Sequence, residues 1–457
     1  MTPSLRSHSK YVLIPFAVTI LFIFTLSAFF GHLHNGWIFG TDAQYNYMIG
    51  RSLYFDHDLD FENEWAMTPS PNLAERPQRT KTGRIYNQTP IGYSLLAQPF
   101  FFTADMLTRT LNLCRNEPLP DDGYRGLYGL IVPLSSILFA LLGLFFGYRI
   151  LRIFFVPDIA ALAINSLVLS SSLLWYITGH LTMTHAHSFA VVTLMIFLAL
   201  PLYSEDIHTI GVYRFIGIGC VFSLAVMVRF QNVVFGLIAA APVARHILAR
   251  GVERDLLKKT SLAVLFAAIC YVPQSLYMRT VFGHYLINTY ADTGWSFSFS
   301  PLNLVKTLFS TNHGLLLWHP VILFSCVGSV LLMARVKTSR FLMLSLSACF
   351  LLTWFIVAFW DYTMANSFGN RGFNGLTVFV AMGWAEVLRR SWQPPARRKY
   401  ALLVCALLVL WNLQLLMQQR YLGWLPFNGE VSYLQVFKNY KKLPPELARI
   451  KAKLWGG

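Results

Sequence analysis

The sequence predicts an all-α polytopic membrane protein, and three observations carry that reading. Of 457 residues, 55% are hydrophobic and only 13% charged, a balance that a water-soluble surface of this size does not tolerate. The apolar residues gather into about eleven runs, each near the twenty residues needed to cross a bilayer. The basic residues sit in short clusters at the ends of those runs, where topology is decided.

The expected spans are 11–31, 127–147, 158–177, 188–203, 214–228, 231–248, 260–281, 313–334, 341–360, 373–388 and 400–418. The first run is too long for a signal-peptide core and lacks a cleavage site after it, so it reads as an uncleaved span. A further run, 91–107, decides the topology. If it crosses the membrane, every later basic cluster moves outside. If it lies along the outer surface as an amphipathic or re-entrant segment, the clusters share one side. These are Arg6 and Lys10; Arg149 and Arg152; Arg214; Arg245, Arg250, Arg254, Lys258 and Lys259; Arg335, Lys337 and Arg340; and Arg389, Arg390, Arg397, Arg398 and Lys399. Short loops of the opposite side then hold only Arg229, Arg279 and Arg371. The positive-inside rule selects this second arrangement, with the amino terminus cytoplasmic and the carboxyl terminus outside. It makes residues 1–457 one integral-membrane domain, with an outer catalytic loop at 32–110 and a short outer tail at 419–457.

The net charge of +16 does not indicate nucleic-acid binding, because its cations flank apolar runs instead of forming a patch. Of the six cysteines only Cys114 lies in a polar stretch, so neither a disulfide framework nor a metal spacing is visible. No Gly-rich phosphate loop follows a strand, and no soluble segment is long enough to hold a nucleotide-sugar domain. No internal repeat is visible by residue identity, which weighs against a transporter built from duplicated halves.

Chemistry concentrates in the first outer loop. Tyr45, Met48, Ile49, Ser52 and Leu53 recur at helical spacing, so 42–55 reads as a short helix. Its first residues, Thr41 and Asp42, are either its cap or, for Asp42, a functional carboxylate. Asp56, Asp58, Asp60, Glu62 and Glu64 alternate with other residues, and an extended chain would put all five on one face, solvated, metal-bound or facing cations. Lys81 and Arg84 then precede Gln88 and the run at 91–107, and two cations beside a membrane surface suit a lipid phosphate.

The segment Gly40-Thr41-Asp42-Ala43-Gln44-Tyr45, the stretch Ser52-Leu53 to Asp58-Leu59-Asp60-Phe61 and the run Pro90-Ile91-Gly92-Tyr93-Ser94-Leu95-Leu96 resemble the polytopic glycosyltransferases of the GT-C superfamily. Protein O-mannosyltransferases and lipid A aminoarabinose transferases are members of it. The resemblance implies an odd helix count, an acidic residue in a first outer loop that carries interfacial helices, and a polyprenyl-phosphate sugar as donor. The mannosyltransferases pair Asp with Glu in this loop. Here Ala43 follows Asp42, so the second carboxylate is unassigned. Transfer from a polyprenyl phosphate needs a base for the acceptor hydroxyl, a role that falls to Asp42, and cations for the leaving phosphate. The acceptor is a lipid, a glycan or a protein, and the expected site faces the outside of a bacterial inner membrane.

Other polar groups fall at the outer ends of spans. Tyr45 and Arg51 flank Asp42 on its helix. His180, His185 and His187 lie in an expected turn between the third and fourth spans, as metal ligands, substrate contacts or hydrogen-bonded structure. Arg229 interrupts an apolar stretch at a depth where a phosphate partner would offset its cost. His313, Asp361, Asn370 and Arg371 occupy late outer motifs, and Arg371, flanked by Gly369 and Gly372, is either a ligand contact or a snorkelling cation. Cofactor need is open, a divalent metal included. Two other classes are set against the transferase: a flippase or exporter of a lipid-linked sugar, which would place ionisable groups midway through spans, and a non-catalytic envelope assembly factor.

The topology is testable with single cysteines in intact cells. Cysteines at Asp60, Asn312 and Asn366 are expected to react with an impermeant maleimide, while those at Arg254, Lys337 and Arg397 react only after permeabilisation. Labelling at 254 from outside would overturn the arrangement.

Overall fold

The computed structural model describes residues 9–33, 37–38, 40–68, 77–204, 206–290, 297–393, 395–442 and 445. Arg6, parts of the expected first loop (34–36, 39 and 69–76), the stretch 291–296 and most of the expected tail beyond 442 lie outside the described residues. Backbone polar groups in hydrocarbon have to be satisfied within their own segment, so apolar runs become helices. The chain opens with α1 (Ser9–Leu33), α2 (Thr41–Arg51), α3 (Glu62–Met67) and α4 (Gly92–Asn112). It continues through α5 (Leu127–Ile131), α6 (Leu134–Phe154), α7 (Pro157–Leu169), α8 (Leu173–Tyr176), α9 (His185–Ala199), α10 (Pro201–Ser204) and α11 (Val212–Val228). Then come α12 (Leu237–Arg250), α13 (Arg254–Phe282), α14 (Pro301–Phe309), α15 (Leu315–Trp318), α16 (Val321–Arg335) and α17 (Lys337–Asp361). It ends with α18 (Thr377–Trp392), α19 (Pro395–Leu416) and α20 (Tyr433–Lys438). Among the described residues β-pairing is limited to one bridge, Arg79 to Ile85.

Each expected span coincides with a helix or a helix pair. Among the described residues, seven helical stretches are long and apolar enough to cross a bilayer, and α7, α11 and α16 are shorter apolar helices. The protein is a multi-pass, all-helical membrane protein. Helix breaks follow sequence: Pro133 separates α5 from α6, Pro201 opens α10, and His319-Pro320 divides α15 from α16. Helix α7 ends at Ser170-Ser171-Ser172, where Ser166 and Ser170 hydroxyls donate back to the carbonyls of Leu162 and Ser166. Helix α4, from the 91–107 run, is not among the seven. It buries Ser94, Asp105 and Thr108 and exposes Phe102, Met106, Leu107 and Leu111.

Small residues let helices meet at backbone contact. A Cβ on Gly328 of α16 would stand 1.9 Å from the Gly383 carbonyl oxygen of α18, and one on Gly383 would stand 2.0 Å from that of Ser325. Gly219 of α11 approaches Ala263 of α13 in the same way. Gly92, at the start of α4, lies against the Met227–Val228 backbone of α11 and seats the first loop on the bundle.

This packing yields a stability test. Gly383→Val is expected to cost at least about 1–3 kcal/mol by overpacking, read as a lower Tm in detergent. An unchanged Tm would mean that α16 and α18 do not pack as described.

Candidate active-site cleft

The loop between α1 and α4 is stitched to the end of α13. The Thr82 hydroxyl donates to the Val281 carbonyl at 2.7 Å, Tyr277 donates to the Asn87 carbonyl at 2.5 Å, and Gln274 accepts from the Ile91 N–H at 2.9 Å. Beyond α13, Thr289 donates to the Gln88 carbonyl at 2.8 Å, and Tyr86 donates to that of Thr289. Asn46 of α2 donates to the Thr182 carbonyl at 3.3 Å, and Ser94 of α4 donates to that of Asn46 at 2.7 Å. Gly40, at φ 80°, makes the turn into α2. These bonds fix the first turn of α2, and so Asp42, at the mouth of a cleft.

The cleft has a volume of about 370 Å³ and is bounded by Asp42 and Asn46 of α2, Thr89-Pro90, Thr184, Arg229 to Gln231 at the end of α11, and Tyr290. Its apolar wall includes Phe297, Ile356, Val357 and Trp360, the last three from α17. A smaller space of about 120 Å³ shares Asp42, Tyr290, Trp360 and Met364 and adds Gln88, Asp361 and Ala365.

Arg371 Nη2 donates to Asp42 Oδ2 at 3.2 Å, and the two side chains are 17% and 37% exposed. Asp42 does not cap α2, since no side-chain bond closes that helix start. Arg229 donates to the Gln231 side-chain carbonyl at 3.0 Å and to Thr184 Oγ1 at 3.3 Å, and lies 3.2 Å from His185 Nε2. The Gln231 amide donates to the Gly372 carbonyl at 2.7 Å, tying Arg229 to the segment that carries Arg371. Arg229 makes no ion pair with a carboxylate among the described residues, while Asp42, which lines the same cleft, is paired with Arg371. Burial, and then Asp42, push the Tyr290 hydroxyl well up, so it stays a neutral donor beside both arginines.

The loop that delivers Arg371 is braced from beneath. Asp361 accepts from the Thr363 N–H at 3.0 Å and the Ala365 N–H at 2.7 Å, while Met364 and Ala365 adopt positive φ. His313, itself at φ 62°, lies 2.8 Å from the Thr363 carbonyl through Nδ1 and 3.3 Å from the Gln419 amide through Nε2. An Nδ1–H donor and an Nε2 acceptor satisfy both contacts. Asn370 is buried and donates to the Tyr362 carbonyl at 3.2 Å. Arg420 donates to the Asn366 carbonyl at 2.7 Å and lies over the rings of Trp175 and Phe427.

Several sequence candidates lie elsewhere. Arg51 is clamped by Asp56 at 2.6 Å and by Glu64 and donates to the Asp122 carbonyl at 2.8 Å, so its Nε and Nη1 donors are engaged away from the cleft. Burial first, and the Asp56 carboxylate second, push Glu64 up to about 8, which brings the clamp nearer to neutral. The acidic run is therefore not one extended face. Asp56 ends a π-type turn, Asp58 accepts from Ser52 at 2.9 Å, Asp60 lies 3.5 Å from Arg84, Glu62 pairs with Arg79 and Glu64 is in α3. Lys81 is exposed at the tip of a turn, and neither it nor Arg84 lines the cleft. His185 and His187 are not in a loop but in the first turn of α9, both fully buried. His185 packs on Tyr176 with ring centres 4.1 Å apart, and His187 lies between Tyr93 and Phe139. Tyr45 is half-buried beside Asp42, its carbonyl accepting from Asn87 at 3.0 Å. Sequence reasoning missed Tyr290 and Arg420, which carry no local signal apart from sitting outside apolar runs.

No family model matches the chain, and no curated protein matches it. Among solved structures it is similar to ArnT from Cupriavidus metallidurans. Against the apo form the TM-score is 0.50 at 14% identity over 87% of this chain. Against the form bound to undecaprenyl phosphate it is 0.53 at 12% identity over 88% of this chain. The chain spans 63% and 64% of the length of those two chains. Its helical bundle, with a long loop after α1 docked across one end, therefore has an ArnT-like fold.

Proposed function

We propose that the protein is a glycosyltransferase that moves a sugar from a polyprenyl-phosphate donor to an acceptor on the outer face of a bacterial inner membrane. One observation carries the reading: Asp42 and Arg229 line one cleft, Asp42 is paired with Arg371 beside it, and Arg229 makes no carboxylate ion pair among the described residues. An anion is what such a wall selects, and a phosphate accepts from both guanidinium groups where water is scarce. The apolar side of the cleft, with Phe297, Ile356 and Trp360, suits a donor that arrives through the bilayer. The ArnT-like fold supports the same class of donor, since the Cupriavidus metallidurans protein was solved bound to undecaprenyl phosphate.

In this reaction the acceptor hydroxyl oxygen bonds to the anomeric carbon, the bond from that carbon to the phosphate oxygen breaks, and polyprenyl phosphate leaves. Asp42 takes the hydroxyl proton, while Arg229 and Arg371 hold the charge that grows on the phosphate. Arg371 pairs with Asp42 before the donor enters. The donor phosphate then takes over guanidinium hydrogen bonds and releases the carboxylate toward the hydroxyl. Asp361, His313 and Asn370 act by fixing the loop that carries Arg371.

Asp42→Asn is expected to insert, fold and bind donor at least as tightly as the unmodified chain, because Arg371 no longer has a carboxylate to leave, while turnover falls by about 10²–10⁴-fold, measured as release of polyprenyl phosphate from a labelled donor. Near-full turnover would remove Asp42 as the base. Arg371→Lys keeps the charge but loses the planar fork, so donor affinity is expected to fall by about tenfold. Unchanged affinity in a titration of the purified variant would take Arg371 out of the donor site.

A further inference from the structure

A second cluster of chemically capable side chains lies at the end of the bundle away from the cleft. His185 opens α9 beside Arg229, and α9 with α10 runs twenty residues to Ser204, about 30 Å of helix, before the chain turns at 206–211. Helix α12 leads from the Arg229 junction to Arg250, and α13 leads back from Arg254 to the cleft. His208 from the 206–211 turn, His246 from α12 and Glu253 from the α12–α13 link meet there, their ligand atoms all within 4.8 Å of one another.

We propose that His208, His246 and Glu253 form a divalent-cation site, matched best to Zn²⁺, that ties the α10–α11 turn to the α12–α13 link. His208 Nε2 lies 2.6 Å from Glu253 Oε2, and His246 Nε2 lies 3.4 Å from Glu253 Oε1. Ligands about 2.0–2.2 Å from a tetrahedral zinc stand roughly 3.4 Å apart, so a small rotation of the exposed His208 ring opens the position. Two imidazoles and one carboxylate are a donor set that zinc accepts and magnesium does not.

The surroundings fit ligation better than a simple hydrogen-bonded staple. Glu253 is the residue before α13 and makes no side-chain bond to that helix start, its carboxylate turned instead to the two histidines. His246 Nε2 is buried and forms no hydrogen bond among the described residues. The other ring nitrogen of His208 lies 3.8 Å from Asp255, which adds negative charge beside the ring without a hydrogen bond to it. Asp255 also neutralises Lys259 at 2.6 Å, and Lys259 donates to the His208 carbonyl at 3.0 Å, which holds the turn in place. The Asp206 side chain accepts from the His208 N–H at 3.3 Å and fixes the same turn from the other side.

The test uses the full-length protein in nanodiscs, stripped with EDTA and titrated with ZnCl₂ by calorimetry and by thermal unfolding. One Zn²⁺ per chain is expected, with a rise in Tm that saturates at one equivalent, and with Mg²⁺ unable to substitute. His208→Ala/His246→Ala is expected to lose the Tm rise and at least about tenfold in affinity. Glu253→Gln, which keeps the size of the side chain, is expected to do the same, and it decides the matter should the double variant not fold. Absence of stoichiometric zinc binding by the unmodified chain, or undiminished binding by Glu253→Gln, overturns the proposal.

Discussion

A guanidinium half-buried at the rim of an apolar bundle needs either a counter-charge or a full set of acceptors, and the architecture around the cleft follows from meeting that need. Arg371 meets it with Asp42, 329 positions away in sequence. The pair forms only because α2 is fastened to α4, α13 and the turn before α9, and because Asp361 and His313 hold the 362–371 segment in a tight turn. Arg229 meets it with neutral acceptors alone: Gln231, Thr184 and the ring of His185. One arginine thus has its charge compensated by a carboxylate and the other does not, and the donor proposed above brings the anion that Arg229 lacks.

The loop after α1 uses the opposite strategy. Arg51 is surrounded by two carboxylates and a carbonyl, and Glu64 takes up a proton more readily than an exposed glutamate, so the clamp is nearer to neutrality. Arg79 with Glu62, and Arg84 with Asp60, close further charges in pairs. The loop is rich in charge, yet most of that charge is spent on its own shape. This explains why an acidic run that would lie on one face of an extended chain is instead divided among separate partners.

How much of this could be read from sequence depended on the range of the interactions. Apolar runs of about twenty residues translate directly into helices, so the bundle was legible, including short α2 from the spacing of Tyr45, Met48 and Ile49. Asp42, Arg229 and Arg371 stood out because each is a charge next to or inside an apolar or glycine-flanked segment. The partnership of 42 with 371 had no local trace, nor did the enclosure of Arg51 by Glu64. His185 and His187 were assigned to a loop because their polarity masks the first turn of α9, whose walls, Tyr93, Phe139 and Tyr176, come from distant segments. Tyr290 and Arg420 carry no local signal in the sequence, and only the fold puts them near Arg371.

The central claim, that the cleft between Arg229 and Arg371 is where a polyprenyl phosphate is held, is tested most directly by a cryo-EM structure of the protein in nanodiscs with undecaprenyl phosphate. The account expects phosphate density within hydrogen-bonding distance of both guanidinium groups, the prenyl chain leaving along Phe297 and Ile356, and Arg371 drawn away from Asp42. Phosphate density elsewhere on the bundle, with the Asp42–Arg371 pair unchanged, would contradict it.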